Sequence, residues 1–176
     1  MPNGSEPFAV RRAGPADASA IARLHIASWR AAYRAELPPA FLAALDETQR
    51  TQQWHERLEV PTTEVLLADR AGQVTGFCAH GPANAAHNLT SAWEIYGLHV
   101  APDLRGTGIG TQLFGAACDR AREKGAAQLT LWVVATNAPA RRFYEAKGMR
   151  PDGVEKQREL IPGVVLHEVR YTVSLG

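Results

Sequence analysis

The sequence predicts a single α/β domain built on a mixed sheet with helices on both faces. Three observations predict it. Apolar positions recur alternately at strand spacing and at helical spacing along the whole chain. The run QLTLWVVA, residues 128–135, is nearly all apolar, as a strand covered on both faces should be. The predicted order is strand, helix, helix, three strands, helix, strand, helix, two strands, which puts helices between strands that must lie in one sheet. A length of 176 residues fits one domain, 1–176, with residues 1–6 as a flexible N-terminus.

Phe8 to Arg12 reads as the first strand. Gly14-Pro15-Ala16-Asp17 opens a helix, with Pro at its first position and an acid in its first turn. Ile21, Leu24, Ser28 and Ala32 follow at helical spacing, with Trp29 and Tyr33 one turn apart on an adjoining stripe. Leu37-Pro38-Pro39 breaks the pattern, and a second helical region runs to about Leu58 through Asp46, Arg50, Trp54 and Arg57. Residues 64–69 and 73–80 flank Arg70-Ala71-Gly72 as a hairpin. A loop of small and polar residues, 81–91, precedes a strand from Trp93 to Val100. A helix is predicted from Gly108 to Lys124, then the apolar strand, then a helix capped by Asn137 and ended at Lys147-Gly148. A last hairpin, 154–160 and 164–173, turns at Ile161-Pro162-Gly163; its final strand puts Val165, His167, Val169, Tyr171 and Val173 on one face.

The composition narrows the function. A net charge of +1 gives no electrostatic footprint for nucleic acid or an anionic membrane. No stretch approaches the ~20 apolar residues of a membrane span, and no signal-peptide core is present, so the cytoplasm is the expected location. Cys78 and Cys118 suggest neither a zinc pattern nor a disulfide framework, and each reads as a small buried hydrophobe. His80, His87, His99 and His167 have no metal-ligand spacing, so no metal is expected. Asn88-Leu89-Thr90 matches a glycosylation acceptor, a match expected to be chance without a secretory signal.

One short stretch carries chemistry. LRGTGIGTQL, residues 104–113, places Gly106, Gly108 and Gly110 where a strand hands over to a helix. Backbone N–H groups there lack intrahelical partners and the dipole favours an anion. The glycines let several N–H groups approach one oxygen cluster, and Arg105 adds a fork matched to phosphate. A dinucleotide fingerprint fails, because Thr111 or Leu113 stands where its third glycine should be and no acid lies near residue 130. The P-loop fails too, for want of Gly-Lys-Ser/Thr.

The stretch resembles the acetyl-CoA turn of the GNAT superfamily of N-acetyltransferases: Arg or Gln, two residues, Gly, one residue, Gly or Ala, here Arg105, Gly108 and Gly110. Its surroundings strengthen the likeness. EIYGLHVAPDLRG looks like the family's fourth strand and its exit. Asn137, Ala140, Phe143, Tyr144, Gly148 and Met149 match the family's Asn-x-x-Ala-x-x-Phe-Tyr-x-x-x-Gly-Phe pattern, with Met for the last Phe.

The resemblance implies a GNAT-type mixed, mainly antiparallel sheet, splayed between its fourth and fifth strands to admit pantetheine. Acetyl-CoA would be the acetyl donor. Leu98, His99 and Val100 would lie along pantetheine, with Leu98 and Val100 pairing with its amides. Arg105, Gly106, Thr107, Gly108, Ile109, Gly110 and Thr111 would hold the pyrophosphate. Asn137, Ala140 and Tyr144 would touch the cofactor, and an N–H near Gly97 or Leu98 would face the thioester carbonyl. Tyr144 is the implied general acid. Glu94, eleven residues before Arg105, is the candidate base, with a water chain as the alternative. Trp29, Tyr33 and His80 are candidates for the acceptor wall. The partner would be an amine-bearing acceptor, small molecule or protein, and a homodimer is compatible with the family's habit. A non-catalytic acyl-CoA sensor of the same fold, or transfer from another acyl-CoA, remain alternatives.

Overall fold

The computed structural model describes residues 8–84, 89 and 91–176. The N-terminal six residues, His87 and the Asn88 and Thr90 of the glycosylation match lie outside these. Among the described residues the strands and main helices follow the predicted order, with one further short helix and two 3-10 turns. Strand β1 (Ala9–Arg12) leads through a 3-10 turn, Pro15–Asp17, into α1 (Ala18–Ala32), α2 (Pro39–Ala43) and α3 (Glu47–Leu58). Then come β2 (Glu64–Arg70), β3 (Gln73–Pro82), β4 (Ala92–Val100), a 3-10 turn at Pro102–Leu104, α4 (Ile109–Glu123), β5 (Gln128–Val134), α5 (Ala138–Ala146), β6 (Arg150–Ile161) and β7 (Val164–Ser174).

The strands form one seven-stranded sheet in the order β1-β2-β3-β4-β5-β7-β6. The pairs β1–β2, β2–β3, β5–β7 and β6–β7 are antiparallel, whereas β4 and β5 run parallel. A mixed sheet is therefore observed, as expected.

The chain divides into two compact units: Met1–His80 with Gly97–Ala117, and Gly81–Tyr96 with Cys118–Gly176. In the first, α1 and α3 cover β2 and β3. Ile21, Leu24, Trp54, Leu67 and Phe77 form one buried cluster, the apolar stripes of both helices meeting one face of the hairpin. Arg11 fixes the edge of this unit: it forks Asp17 at 2.8 and 2.9 Å and reaches Asp69 at 3.0 Å. That contact holds the Asp17 carboxyl below its usual range. The start of α4 lies against β3 at Gly76. A Cβ there would stand 2.8 Å from Ile109 Cγ2 and 3.0 Å from Leu113 Cδ1, so only glycine admits the helix so close.

In the second unit β5 is buried on both faces, through Leu129, Thr130, Leu131, Val133 and Val134. Helix α5 is tied to β7 by one phenol: Arg141 Nε donates to the Tyr171 hydroxyl at 2.9 Å, and that hydroxyl donates to Glu145 at 2.8 Å.

Three details differ from the sequence reading. The second helical region is two helices, because Asp46 leaves the helix and caps α3 through the Gln49 N–H at 2.6 Å. Strand β6 begins at Arg150, since Gly153, at φ 85°, lets an irregularity between Pro151 and Glu155 stay within the ladder. On β7 the predicted face is covered only in its second half: Val165 is 44% exposed while Val169 and Tyr171 are buried.

Candidate active site

The parallel pairing of β4 with β5 is short. It runs from Ala92↔Gln128 to Ile95↔Leu131, while β5 continues in register with β7 to Val134↔Glu168. Ile95↔Leu131 is the last pair in that register. The last residues of β4, Gly97 to Val100, are half-buried.

The chain leaves β4 through Ala101, whose N–H donates to Thr75 O at 2.9 Å, and enters the 3-10 turn. Thr107 Oγ donates to Leu104 O at 2.6 Å and closes the loop. Gly106 (φ 80°) and Gly108 (φ 93°) occupy left-handed backbone that side chains rarely adopt. Helix α4 begins at Ile109, which is fully buried and anchors it. Its first i→i−4 bond is donated by Gln112 to Gly108 O, so the N–H groups of Ile109, Gly110 and Thr111 precede the ladder. Arg105 through Gly108 are exposed. This turn presents donors and a guanidinium to solvent at a helix N-terminus, the arrangement that binds phosphate.

Beside it, in the same unit, the side chain of His99 is held from two sides. Its Nδ1 lies 2.9 Å from Ser28 Oγ, and the Phe77 ring stacks on it at 4.9 Å between centroids. Its Nε2 folds back over Gly97, where an added Cβ would come within 3.2 Å. His25 sits 4.7 Å away, centroid to centroid, and accepts the Trp54 indole N–H on Nδ1 at 3.1 Å. Burial, then His99 and the cations Arg50 and Arg57, push His25 down to about 2. Burial, then Arg105 and Arg50, push His99 down to about 4. Both imidazoles are neutral at neutral pH.

Trp29 and Tyr33 join this cluster. Their rings meet edge-on at 5.1 Å, and Trp29 meets His25 at 5.8 Å. His80, on β3, is fully buried, in register opposite Glu64. The sequence reading missed His25, Ser28, Arg50, Trp54 and Phe77 as members. The signal was present in part, for His25, Trp29 and Tyr33 stand at i, i+4 and i+8, and Arg50, Trp54 and Arg57 at i, i+4 and i+7.

In the second unit, Asn137 caps α5, its Oδ1 accepting the Ala140 N–H at 3.2 Å. Two turns on, Tyr144 is buried, only 8% exposed, and meets Phe143 edge-on at 5.2 Å. Asn137, Ala140 and Tyr144 thus ride on one short helix fixed by Tyr171. Glu94 is 8% exposed, in register with Thr130; Tyr96 is 43% exposed and donates to Pro82 O at 2.7 Å.

Among the described residues no group of three or more His, Cys, Asp or Glu could hold a metal ion, and no helix is long and apolar enough to cross a membrane.

The model of the acetyltransferase (GNAT) family matches residues 26–149. The chain is 32% identical to the uncharacterized N-acetyltransferase YhfO of Bacillus subtilis over 146 residues, 81% of this chain and 90% of that one. It is 38% identical over 93 residues to a mycothiol acetyltransferase of Sanguibacter keddieii, 52% of this chain and 30% of that one. Of another curated relative it spans 64%. Among solved structures it resembles the PaiA N-acetyltransferase of Thermoplasma acidophilum in complex with coenzyme A, with a TM-score of 0.72 at 15% identity over 93% of this chain and 98% of that one.

Proposed function

Because the chain belongs to the acetyltransferase (GNAT) family, we propose that it transfers the acetyl group of acetyl-CoA to a primary amine, of a small molecule or a protein, by direct attack in a ternary complex. One observation carries this reading most: the exposed turn from Arg105 to Gly110, with its left-handed glycines and the N–H groups that precede the α4 ladder. These residues fit a pyrophosphate. The end of β4, past the last pair at Ile95↔Leu131, fits an extended chain bearing amides, which would pair with Leu98 and Val100 as an added strand does.

Acetyl-CoA supplies an activated acyl group whose C–S bond breaks as the new C–N bond forms. The protein's tasks follow from the proton count. A lysine-like amine, with a pKa near ~10.4, is mostly protonated at neutral pH, so one proton must leave before attack and a second after it. Glu94 accepts a proton from the amine, directly or through water. The N–H of Gly97 or Leu98 donates to the carbonyl oxygen as negative charge gathers there. Tyr144 gives its phenolic proton to the departing sulfur. Asn137 and Ala140 bind the cofactor from the first turn of α5. Trp29 and Tyr33 form the wall on which the acceptor rests.

The test is a thiol-release assay with acetyl-CoA and a panel of amines, run beside calorimetric binding of CoA. Acetylated amine and stoichiometric thiol are expected. Tight CoA binding with no turnover on any amine would instead make the chain a sensor of acyl-CoA.

A further inference from the structure

Arg50 is a half-buried cation with no acid to meet it. Its guanidinium carbon lies 5.8 Å from the centroid of the Trp29 ring, on the face of α3 that also carries Trp54. The acids of that helix and its cap are engaged elsewhere. Asp46 accepts the Gln49 N–H, Glu47 meets Arg23, Glu56 meets Gln52, and Glu59 meets His55. No carboxylate among the described residues forms an ion pair with Arg50. The charge that bears on it is another cation, Arg57, and burial and Arg57 together pull the Arg50 pKa below its ordinary value. The two imidazoles that feel Arg50, His25 and His99, are neutral and offer it no counter-charge.

A guanidinium taken partly out of water without a partner is costly, and arginine is retained in such places where its planar fork meets a carboxylate or phosphate. The surroundings suit a ligand better than a core. Trp29, Tyr33 and His25 are only half-buried, and Trp29, the ring under the cation, meets the other two edge-on. The contact with the Trp29 ring leaves the N–H donors of the guanidinium unconsumed.

We propose that Arg50 is the anion-binding residue of the acceptor site: the acceptor amine also carries a carboxylate or a phosphate, which Arg50 grips through paired N–H donors. Trp29 and Tyr33 take the apolar chain between the two ends of the acceptor. The class of substrate is thus an amino acid or an amino-phosphate rather than a plain alkylamine or a polyamine. The amine half of this inference rests on the acetyl-transfer reading above; the anion half stands on Arg50 alone.

Two matched pairs of probes test it: 4-aminobutyrate against butylamine, and phosphoethanolamine against ethanolamine. Binding is measured by calorimetry with CoA saturating, and turnover by thiol release from acetyl-CoA. In wild type an anionic member should bind at least tenfold more tightly than its neutral partner, and the active pair shows whether the anion is carboxylate or phosphate. Arg50→Gln should abolish that preference and Arg50→Lys should keep part of it, both with wild-type melting temperature and CoA affinity. Equal binding within both pairs, binding by none of the four, a preference that survives Arg50→Gln, or a fall in CoA affinity in that variant would overturn the proposal; the last would mean that Arg50 serves the cofactor. Anion-dependent binding without thiol release sinks the transfer reading and leaves the anion site standing. Thiol release with no anion preference does the reverse.

Discussion

Ser28 and His99 stand 71 positions apart, yet Ser28 Oγ lies 2.9 Å from His99 Nδ1 and fixes the imidazole against Gly97. The serine is buried at 3% exposure, one turn after His25 on α1. The imidazole is thereby oriented from one side by a hydroxyl and from the other by the Phe77 face. Its neutrality has a cost that appears on acidification.

The folded-state pKa values of about 4 for His99 and about 2 for His25 lie below the ordinary value of 6.5. The folded protein therefore binds fewer protons than the unfolded chain, and stability falls as pH falls below 6.5. Between pH 7 and pH 4.5 each histidine should cost roughly 1–3 kcal/mol, allowing for its residual exposure. Urea melts across that range should show the loss, with a shallower slope in His99→Gln. A flat profile from pH 7 to 4.5 would contradict the neutral assignment.

Gly76→Ala should destabilise the protein by roughly 1–3 kcal/mol, the usual penalty of an overpacked contact. Its methyl would meet Ile109, Leu113 and the His99 carbonyl at 2.8–3.2 Å. Gly115→Ala is the control: nothing lies within 4 Å of its added Cβ, inside α4, so it should be neutral or stabilising by ~0.5–1 kcal/mol. Chemical denaturation of both variants checks the pair.

Gly108→Asp should abolish CoA binding with the secondary structure intact, because the residue is exposed, sits at φ 93° and would add an anion where one should bind. Arg105→Ala should weaken CoA by ~1.5–3 kcal/mol, one charge-assisted contact. Calorimetry with CoA measures both. Unchanged affinity in the two variants would remove phosphate binding from this turn.

Tyr144→Phe keeps the buried ring and removes the hydroxyl. CoA affinity should hold while kcat falls roughly ten- to a thousandfold, within what general acids contribute. The deficit should shrink with an acetyl donor whose thiol is much more acidic, since such a sulfur leaves without a proton. Full kcat on acetyl-CoA, with chemistry rate-limiting, would end the assignment.

Much of this was legible because it is local. Arg105 to Gly110 announces its turn by glycine spacing, and Asn137 announces its cap by its own residue type ahead of a helical stretch. The hairpin at 70–72 follows from the strands around it. What stayed hidden depends on distant partners. Nothing near His99 in sequence points to Ser28 or Phe77, and Arg50 reads as a solvated helix residue until Trp29 is placed beneath it. The start of β6 was missed for another reason: Pro151-Asp152-Gly153 looks like a break, and only the β7 ladder on both sides of it shows that the strand continues through.

The Tyr171 hydroxyl has a consequence for the order in which the protein matures. Helix α5 has nine residues, too few to persist alone in water. Its bonds to Tyr171 come from a strand made about thirty residues later. On the ribosome, the segment bearing Asn137 and Tyr144 must wait unsettled until β7 has emerged and paired with β5. The proposed acetyl transfer is therefore expected only after that strand has docked.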